Sequence, residues 1–165
     1  MGGRAMRRIG RTTRNGQRGV VTIEYAFMLM FGLIPLLLLT YTGVMLMAVQ
    51  QTLATASSEG ARASLRFAPL DQRRVAACEA ARRSMQWLLT YAAQTPDCSS
   101  ASSGPIVVSP AAPCSGLADA QCMQVSVSFD YRAKPFLPGT GRVYGWVLDR
   151  PISSTAVAQL DLGSN

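Results

Sequence analysis

The longest hydrophobic feature of the chain is an uncharged apolar run of 24 residues from Ala26 to Val49. At about 1.5 Å per residue this run makes about 36 Å of α-helix, enough to cross a hydrocarbon core of about 30 Å. Pro35 lies inside the run and predicts a kink rather than an end, since membrane helices tolerate proline. The pattern predicts a transmembrane helix that continues as a stalk, together covering residues 20–67.

A removable secretory signal is the alternative reading of this run, because Ala54-Thr55-Ala56 offers a small-residue cleavage site. The hydrophobic part of such a signal is only about 7 to 15 residues long, so the length of the run favours a retained helix. One helix over residues 20–67 would be about 72 Å long, and its second half is therefore expected to stand clear of the lipid.

A second periodic pattern follows Asp71, which we expect to cap the start of an amphipathic helix. Its apolar positions recur at steps of three and four residues: Val75, Cys78, Ala81, Met85, Leu88, Leu89 and Ala92. Its polar positions are Arg73, Arg74, Glu79, Arg82, Arg83 and Gln86. The apolar side is expected to pack on the core of the same domain, with a partner-binding face as the alternative.

Strict alternation of apolar and polar residues near the C-terminus predicts a strand with one buried face. Its apolar members are Met123, Val125, Val127, Phe129 and Tyr131. A loop rich in Pro and Gly is predicted at 134–145 and a last strand at 154–162. Residues 94–121 are expected to form a loop region with one short strand at 106–109. Together with the helices, these strands predict an α+β fold with a small antiparallel sheet.

The net charge of +7 comes mostly from the start of the chain. Six of the 16 basic residues are arginines before residue 20, whereas the rest of the chain has ten basic and nine acidic residues. A basic tail beside an apolar run is typical of a segment held on the cytoplasmic side of a membrane. Nucleic-acid binding is disfavoured because it would place basic clusters on the folded part. A solvated tail without function is the remaining alternative.

All four cysteines follow the apolar run, on the side that the charge bias would export: Cys78, Cys98, Cys114 and Cys122. An oxidising compartment and two disulfides are therefore expected, and three pairings are possible. A metal site is disfavoured because the spacings lack a short Cys-x-x-Cys pair and the chain has no His. The missing His and the lack of a catalytic or phosphate-binding motif predict a protein that is not an enzyme and needs no cofactor.

One acidic residue, Glu24, lies just before the apolar run, with Tyr25 beside it. An ionised carboxylate in lipid costs several kcal/mol, so such a residue tends to have a partner. Two interpretations stay open at this point. Either Glu24 reaches the headgroup boundary with Tyr25 as an interfacial aromatic, or it meets an opposite charge.

The segment Gly19-Val20-Val21-Thr22-Ile23-Glu24-Tyr25 resembles the type III signal of type IV prepilins, which a prepilin peptidase cuts after a Gly, leaving a Glu as the fifth mature residue. The Glu-Tyr pair is similar to that of Flp pilins and of pseudopilins of tight adherence (Tad) systems. Glu59-Gly60-Ala61-Arg62 resembles a motif of the TadE-like minor pseudopilins, and residues 122–127 and 153–156 are similar to that family's closing strands. The chain departs from the family in the place of Pro35 and in its four cysteines.

This resemblance implies a pilin-like fold in three parts: a basic leader (1–19) removed by the peptidase, a transmembrane and stalk helix (20–67), and an exported α+β domain (68–165). It implies a single pass through the bacterial inner membrane, with the N-terminus cytoplasmic and the domain periplasmic, or extracellular in a pilus. The implied partners are the prepilin peptidase, other pilin and pseudopilin subunits, the inner-membrane Tad assembly platform and membrane lipid, with no nucleic acid. During assembly, the amine of Val20 would pair with Glu24 of a neighbouring chain.

The expected function is therefore structural: a minor subunit that primes, caps or stabilises a Tad-type (type IVc) pilus used in adhesion or secretion. The alternative is a permanently membrane-anchored, disulfide-bonded periplasmic binding or scaffold protein of the cell envelope. A third possibility is an anchor of a secretion complex that never leaves the membrane. The pilus hypothesis predicts a mature chain that begins at Val20, whereas the binding-protein hypothesis predicts an intact N-terminal tail.

Overall fold

The computed structural model describes residues 18–100, 102–115, 117–145 and 150–160. In chain order, the helical elements are α1 (Arg18–Met28), a π-helical turn (Leu29–Leu33), α2 (Ile34–Ser64), α3 (Leu70–Ser84), α4 (Gln86–Ala92), a 3-10 turn (Cys98–Ser100) and α5 (Thr140–Gly145). The strands are β1 (Ser102–Ser103), β2 (Ile106–Val108), β3 (Ala112–Cys114), β4 (Leu117–Phe129) and β5 (Ile152–Leu160). A long apolar N-terminal helix, further helices and a small antiparallel sheet confirm the α+β layout.

The chain divides into two units, Met1–Tyr41 and Thr42–Asn165. The described part of the first unit is helical, with the π-helical turn Leu29–Leu33 just before Pro35. Proline has no N–H, and its ring clashes with the carbonyl four residues earlier, here that of Phe31. A widened turn relieves that clash, and such turns are a common form of helix distortion. The distortion expected at Pro35 therefore takes the form of a π-helical turn on its N-terminal side.

In the second unit, β4 is the central strand of the sheet, and all of its neighbours are antiparallel. One edge of β4 pairs with the whole length of β5, from Gln121 opposite Leu160 to Phe129 opposite Ile152. Its other edge pairs with β3 near Cys122 and with β2 at residues 125–127. β1 pairs in turn with β2. A 13-residue strand with a period of two holds the sheet together, as the alternation predicts.

The core lies between one face of this sheet and helices α2, α3 and α4. The sheet contributes the apolar members of the alternating pattern, all of them buried: Met123, Val125, Val127 and Phe129, followed by Tyr131 after the strand. The helices contribute Val49, Leu53, Ala56, Ala77, Cys78, Ala81, Leu88, Leu89 and Ala92, with Met85 from the junction of α3 and α4. On the opposite face of the sheet, Gln124 is exposed and Ser126 shares a hydrogen bond of 2.9 Å with Thr155. Core packing is confirmed for the second helical pattern.

The second helical region differs from its prediction in four details. It forms two helices, because Met85 between them leaves the helical conformation, with φ −110° and ψ 21°. Pro69 and not Asp71 precedes the first residue of α3, so the predicted Asp71 cap is wrong and Asp71 lies in the first turn. Arg73, expected on the wet side, is only 6% exposed and donates from Nε to the carbonyl of Ala68 at 2.7 Å. Val75, expected in the core, is exposed instead.

Four further regions also differ from prediction. The long helix ends at Ser64, three residues before the predicted end at Phe67. The region 94–121 holds β1, β3 and the start of β4 besides the predicted short strand, which is β2. The loop predicted at 134–145 contains α5, and β5 covers Ile152–Leu160, while the end of the predicted strand at Leu162 lies outside the described residues.

Candidate functional site: the apolar helix and the Glu59–Arg62 motif

From Val21 to Tyr41 every side chain of the helix is exposed except that of Leu29, which is half-buried. The large apolar residues on this surface include Val21, Ile23, Phe27, Met28, Met30, Phe31, Leu33, Ile34, Leu36, Leu37, Leu38 and Leu39. Monomeric soluble domains rarely expose a contiguous apolar surface of this size. The 21 residues cover roughly 30 Å of helix, about the thickness of a hydrocarbon core.

Among the described residues, Val21–Ser64 is the helix long and apolar enough to cross a membrane. Length and composition alone carry this assignment, and a signal sequence near an N-terminus has the same properties. The helix is therefore a candidate membrane anchor or signal.

Burial on α2 begins at Thr42, which is 0% exposed. Val49 and Leu53 are fully buried in the core. Residues 42–49, the last part of the apolar run in the sequence, thus belong to the second unit. The freely exposed apolar stretch is 21–41, which begins earlier and ends earlier than the run 26–49.

The acidic residue of the candidate site, Glu24, lies in α1 and is exposed, as is Tyr25. Residues three and four positions away share its side of the helix, and these include Val21, Phe27 and Met28. Among the residues whose side chains the structure describes, the salt bridges are Arg62 to Glu59 and Arg82 to Glu79, so none of the cations in this set pairs with Glu24. The carboxylate lies on an apolar surface and is accessible to a group from another molecule.

The predicted processing site lies at the start of the described residues. Gly19 and Val20 belong to the first turn of α1, which begins at Arg18. Residues 1–17 of the predicted leader lie outside the described part of the chain. Cleavage after Gly19 stays a prediction.

The Glu59-Gly60-Ala61-Arg62 motif lies in the last two turns of α2, and its two inner residues pack against the core. Gly60 is buried where α2 meets α3 and the central strand. A Cβ at Gly60 would lie 2.9 Å from Cγ1 of Val125, 3.0 Å from the carbonyl oxygen of Ala77 and 3.4 Å from Cβ of Ala81. Ala61 beside it is also buried. Only a glycine allows the backbones of these elements to approach this closely.

The two outer residues of the motif form an ion pair on the surface. Arg62 Nη1 lies 3.2 Å from Glu59 Oε1, one helical turn apart, and both side chains are well solvated. Exposed pairs of this kind contribute little to stability, on the order of 0.5 kcal/mol. The motif therefore combines a tight packing contact with a solvated charge pair.

A groove of about 330 Å³ lies beside this ion pair. Its lining includes Glu59, Arg62, Arg66 and Arg83, so three basic residues and one acidic residue line the groove. Arg62 lies in the last turn of α2 and Arg83 in the last turn of α3, where positive side chains also complement the helix dipole. The groove can accommodate a small anionic group, and Arg66 and Arg83 have no salt-bridge partner among the described residues.

The four cysteines form two disulfides, and none is free. Cys78–Cys98 joins α3 to the 3-10 turn, and Cys114–Cys122 joins β3 to β4. The expectation of two disulfides is confirmed, and the pairing follows the chain order. These bonds favour an oxidising compartment for the second unit.

The loop before Cys98 is ordered by Asp97. Its carboxylate accepts hydrogen bonds from the backbone N–H of Ser99 at 2.9 Å and from the Ser99 hydroxyl at 2.9 Å. These bonds stabilise the charged form and hold the pKa of Asp97 below its ordinary value.

An aromatic cluster centred on Phe136 was not predicted from the sequence. The ring of Phe136 lies 4.8 Å from that of Tyr91, 5.6 Å from Tyr131, 5.9 Å from Phe129 and 6.5 Å from Trp87. Two local spacings fall within the cluster: Trp87 and Tyr91 are one helical turn apart in α4, and Phe129 and Tyr131 are two residues apart in the alternating pattern. Phe136 comes from the loop before α5 and carries no such pattern.

No protein-family model, curated protein or solved structure matches the chain. Within the described ranges, no group of three or more His, Cys, Asp or Glu side chains could hold a metal ion. The features that indicate a function are therefore the exposed helix, its carboxylate and the motif at the end of α2.

Proposed function

We propose that the chain is a membrane-anchored, pilin-like assembly subunit of the TadE-like minor pseudopilin class. In this proposal it is cut after Gly19 and joins a Tad-type (type IVc) pilus or its base through the helix that begins at Val20. The role is structural, and the chemistry on the chain itself is limited to this cleavage and to disulfide formation.

The observation that supports this proposal most directly is the exposed apolar stretch 21–41 with a single carboxylate near its start. A simple anchor needs apolar residues only, and a charge in the lipid-facing part weakens it. The carboxylate of Glu24 is therefore accounted for best by a contact that the isolated chain does not contain.

Cleavage after Gly19 would supply that contact, because it creates an ammonium group on Val20. Pairing this group with Glu24 of a neighbouring chain brings opposite charges together in a low dielectric, which offsets much of their desolvation cost. Four helical residues separate the two positions, so the pair would shift adjacent helices by about 6 Å along their axis. The electrostatic pair would thus set the stagger between subunits.

The Glu59–Arg62 motif supports the proposal in a different way. Gly60 and Ala61 allow α2 to pack closely on α3 and β4, so they help to build the second unit on the end of the long helix. This packing role accounts for a Gly-Ala pair in the motif without requiring it to touch another subunit.

The first experiment tests processing. The full chain is expressed with and without a prepilin peptidase, and its N-terminus is identified by mass spectrometry. We expect a peptidase-dependent loss of nineteen residues, about 2 kDa at roughly 110 Da per residue, which leaves Val20 first. A Gly19→Val variant is the matched control and should keep its leader. A mature protein that retains residues 1–19 in its own host would refute the proposal.

The second experiment tests the charge pair. Glu24→Gln removes the carboxylate with almost no change in size, and Glu59→Gln makes the same change at a solvated position. We expect both variants to be cleaved, and only Glu24→Gln to be lost from the assembled pilus fraction. Normal incorporation of Glu24→Gln would contradict the pairing.

The groove beside Arg62, Arg66 and Arg83 favours a second candidate function, a permanently anchored envelope protein that binds an acidic ligand. Titration of the full chain in detergent with a poly-glutamate peptide tests it. Binding that is lost in Arg66→Ala/Arg83→Ala, in a chain that keeps its N-terminal tail, would favour this function over the pilus subunit.

A further inference from the structure

The sheet of the second unit has two edges, and one of them is protected against pairing with another chain. On that side the outermost strands are β1, with two residues, and β3, with three. β3 contains Pro113, which has no N–H to offer, and its register shifts between Pro113 and Cys114. Short strands, proline and an irregular register are features by which proteins keep a sheet from pairing with another chain.

β5 forms the other edge and has none of these features. It is nine residues long, contains no proline, glycine or charged residue, and pairs with β4 in an unbroken register. Among the described residues, β4 is the strand that pairs with it, and no strand lies on its other side. The sheet therefore ends in a long, regular and uncharged strand, and we refer to the outer side of β5 as the open edge.

The backbone groups at the open edge can be identified from the bonds of β4. The N–H of Gln124 donates to Ser109 Oγ and its carbonyl accepts from the Ser109 N–H, both at 2.9 Å. Gln124 thus directs both backbone groups to the β2 side, away from Val157, which lies opposite it in β5. In an antiparallel pair, such positions alternate with positions that bond across. The N–H and C=O groups at the open edge therefore belong to every second residue of β5: Ser153, Thr155, Val157 and Gln159.

Within the described ranges, nothing covers these groups. The backbone hydrogen bonds outside the helices and the sheet do not involve β5, and all four side chains are exposed, that of Val157 by 60%. Ser57 of α2 shares a hydrogen bond of 3.0 Å with Ser154, but this bond joins two hydroxyl groups and leaves the backbone of β5 unchanged. Four donors and four acceptors thus remain available at strand spacing.

We propose that the open edge binds an extended strand of another protein chain, which continues the sheet. A row of alternating N–H and C=O groups is complementary to the backbone of a strand, so the chemistry that it recognises is an extended polypeptide. On the outer face, the side chains of the added strand would stand beside Thr155 and Val157. On the inner face, they would stand beside Ile152 and Ala156, which are half-buried. The partner is therefore an uncharged segment with small apolar residues at alternate positions.

The partner strand is expected from a different subunit rather than from a second copy. This step rests on the proposed function, in which neighbouring chains enter one membrane with α2 in the same direction. Two copies would meet through the same strand, antiparallel about a two-fold axis perpendicular to the sheet. α2 packs along the face of the sheet from Val49 to Gly60, so this rotation would reverse its direction in one copy.

The first test determines whether the edge is open in the isolated chain. Hydrogen exchange of the full chain in detergent is measured for single amides by NMR, and sedimentation gives the oligomeric state. We expect the amide of Val157 to exchange at least about tenfold faster than those of Ala156 and Ala158, which bond to β4. Equal protection would overturn the inference, because the edge would then be covered by the chain itself in a monomer or by a second copy in a dimer.

The second test removes one hydrogen-bond donor from the open edge. Val157→Pro lacks the outward N–H but breaks no bond to β4, and edge strands tolerate proline at such positions. Val157→Thr keeps the N–H and almost the same shape, so it is the matched control. Both variants are expressed in the host with its prepilin peptidase, and their amounts in the assembled pilus fraction are compared.

We expect Val157→Pro to be cleaved but to fall at least about fivefold in the assembled fraction, because the partner loses a hydrogen bond and meets the proline ring. Val157→Thr should match the parent. Normal incorporation of Val157→Pro would overturn the inference and leave the proposed function intact. A parent chain that keeps its leader would instead refute the proposed function and, with it, the choice of a different subunit.

A lysine variant keeps the inference testable if Val157→Pro does not fold, which thermal unfolding in detergent shows. Val157→Lys leaves the backbone intact and adds a charge, which natural edge strands use against pairing. Gln124→Lys places the same charge on the same face, one strand further from the edge. We expect Val157→Lys to be lost from the assembled fraction and Gln124→Lys to be retained. Equal incorporation of the two lysine variants would contradict strand pairing at the open edge.

Discussion

Gly60→Ala tests the packing at the end of α2 with a single methyl group. The new Cβ would lie 2.9 Å from Cγ1 of Val125 and 3.0 Å from the carbonyl oxygen of Ala77. Neither neighbour moves easily, because Val125 is a buried β-branched residue in the central strand and the oxygen of Ala77 is backbone. Overpacking of this kind costs about 1–3 kcal/mol, whereas Ala gains about 1 kcal/mol over Gly in helix propensity. We therefore expect Gly60→Ala to lower the free energy of unfolding by about 1 kcal/mol, which is roughly 3–5 °C in Tm for a unit of this size.

Gly43→Ala is the matched control, since Gly43 lies in the same helix and, apart from its chain neighbours and the backbone of that helix, no atom lies within 4 Å of its added Cβ. It gains the helix propensity without the contact, and we expect it to be at least as stable as the parent. Thermal and urea unfolding of the oxidised full chain in detergent, followed by circular dichroism, measures both variants. Gly60→Val, with two more methyl groups, should cost about 3 kcal/mol or more. If Gly60→Ala proves as stable as Gly43→Ala, α2 does not approach β4 and α3 as closely as described.

Three further changes have defined outcomes. The hydrogen bonds from Ser99 hold the pKa of Asp97 below its ordinary value. The charged form of Asp97 therefore stabilises the fold above the unfolded-state pKa, and this contribution disappears as pH falls through the folded-state pKa. In thermal scans, Asp97→Asn should flatten the fall in Tm below about pH 4. Replacing both members of Cys78–Cys98 with Ala should lower the free energy of unfolding in urea by about 3 kcal/mol, and the same change at Cys114–Cys122 should lower it by about 2.5 kcal/mol. The first loss is larger because a disulfide that closes a longer loop removes more entropy from the unfolded chain, and the sequence separations are 20 and 8 residues. Equal losses would contradict this loop-entropy reasoning. Phe136→Ala should cost roughly 2 kcal/mol in the same assay, less than a fully buried Phe because the ring is half-buried, and near-UV circular dichroism should show the loss of the cluster.

The strand pattern could be predicted from the sequence because a sheet with one buried face imposes a period of two on every side chain. Met123, Val125 and Val127 are buried as the alternation requires. Strands β1 and β3 have two and three residues, which is too short for any periodic pattern, and they exist because β2 and β4 offer them hydrogen-bonding edges. Local sequence could not indicate them.

The break at Met85 escaped prediction for a related reason. The apolar positions stay in phase across it, since Met85 itself is buried between α3 and α4 and Leu88 and Leu89 follow at helical spacing. A helical hydrophobic period indicates which face of a segment is buried, but it does not indicate whether the backbone hydrogen bonds of the helix are continuous. The charge of Arg73 predicts an exposed side chain, yet its guanidinium donates to the carbonyl of Ala68 in the turn before α3. This contact depends on the path of that turn, which the local sequence pattern does not indicate.

At the candidate site, the sequence alone pointed to Glu24 and to the Glu59–Arg62 motif, but not to what the motif does. The role of Gly60 depends on Val125, which lies 65 residues away and comes close only in the folded unit. The aromatic cluster around Phe136 has the same origin, because Trp87 and Phe136 meet through tertiary packing. The spacing of nearby residues is enough to indicate a carboxylate beside an apolar run. Contacts between distant segments can be identified only once the fold is known.

The onset of burial at Thr42 changes the argument about Glu24. Hydropathy places the apolar run at 26–49, which leaves Glu24 outside it and makes a headgroup position sufficient. The exposed fractions of the side chains instead place the uncovered apolar surface at 21–41, because residues 42–49 belong to the second unit. If that free surface is the part that lipid covers, Glu24 lies about 4.5 Å inside its N-terminal edge. At that depth Glu24 is costly as an isolated charge, and the amine that cleavage would create on Val20 of a neighbouring chain, shifted by about 6 Å along the helix axis, would offset the cost.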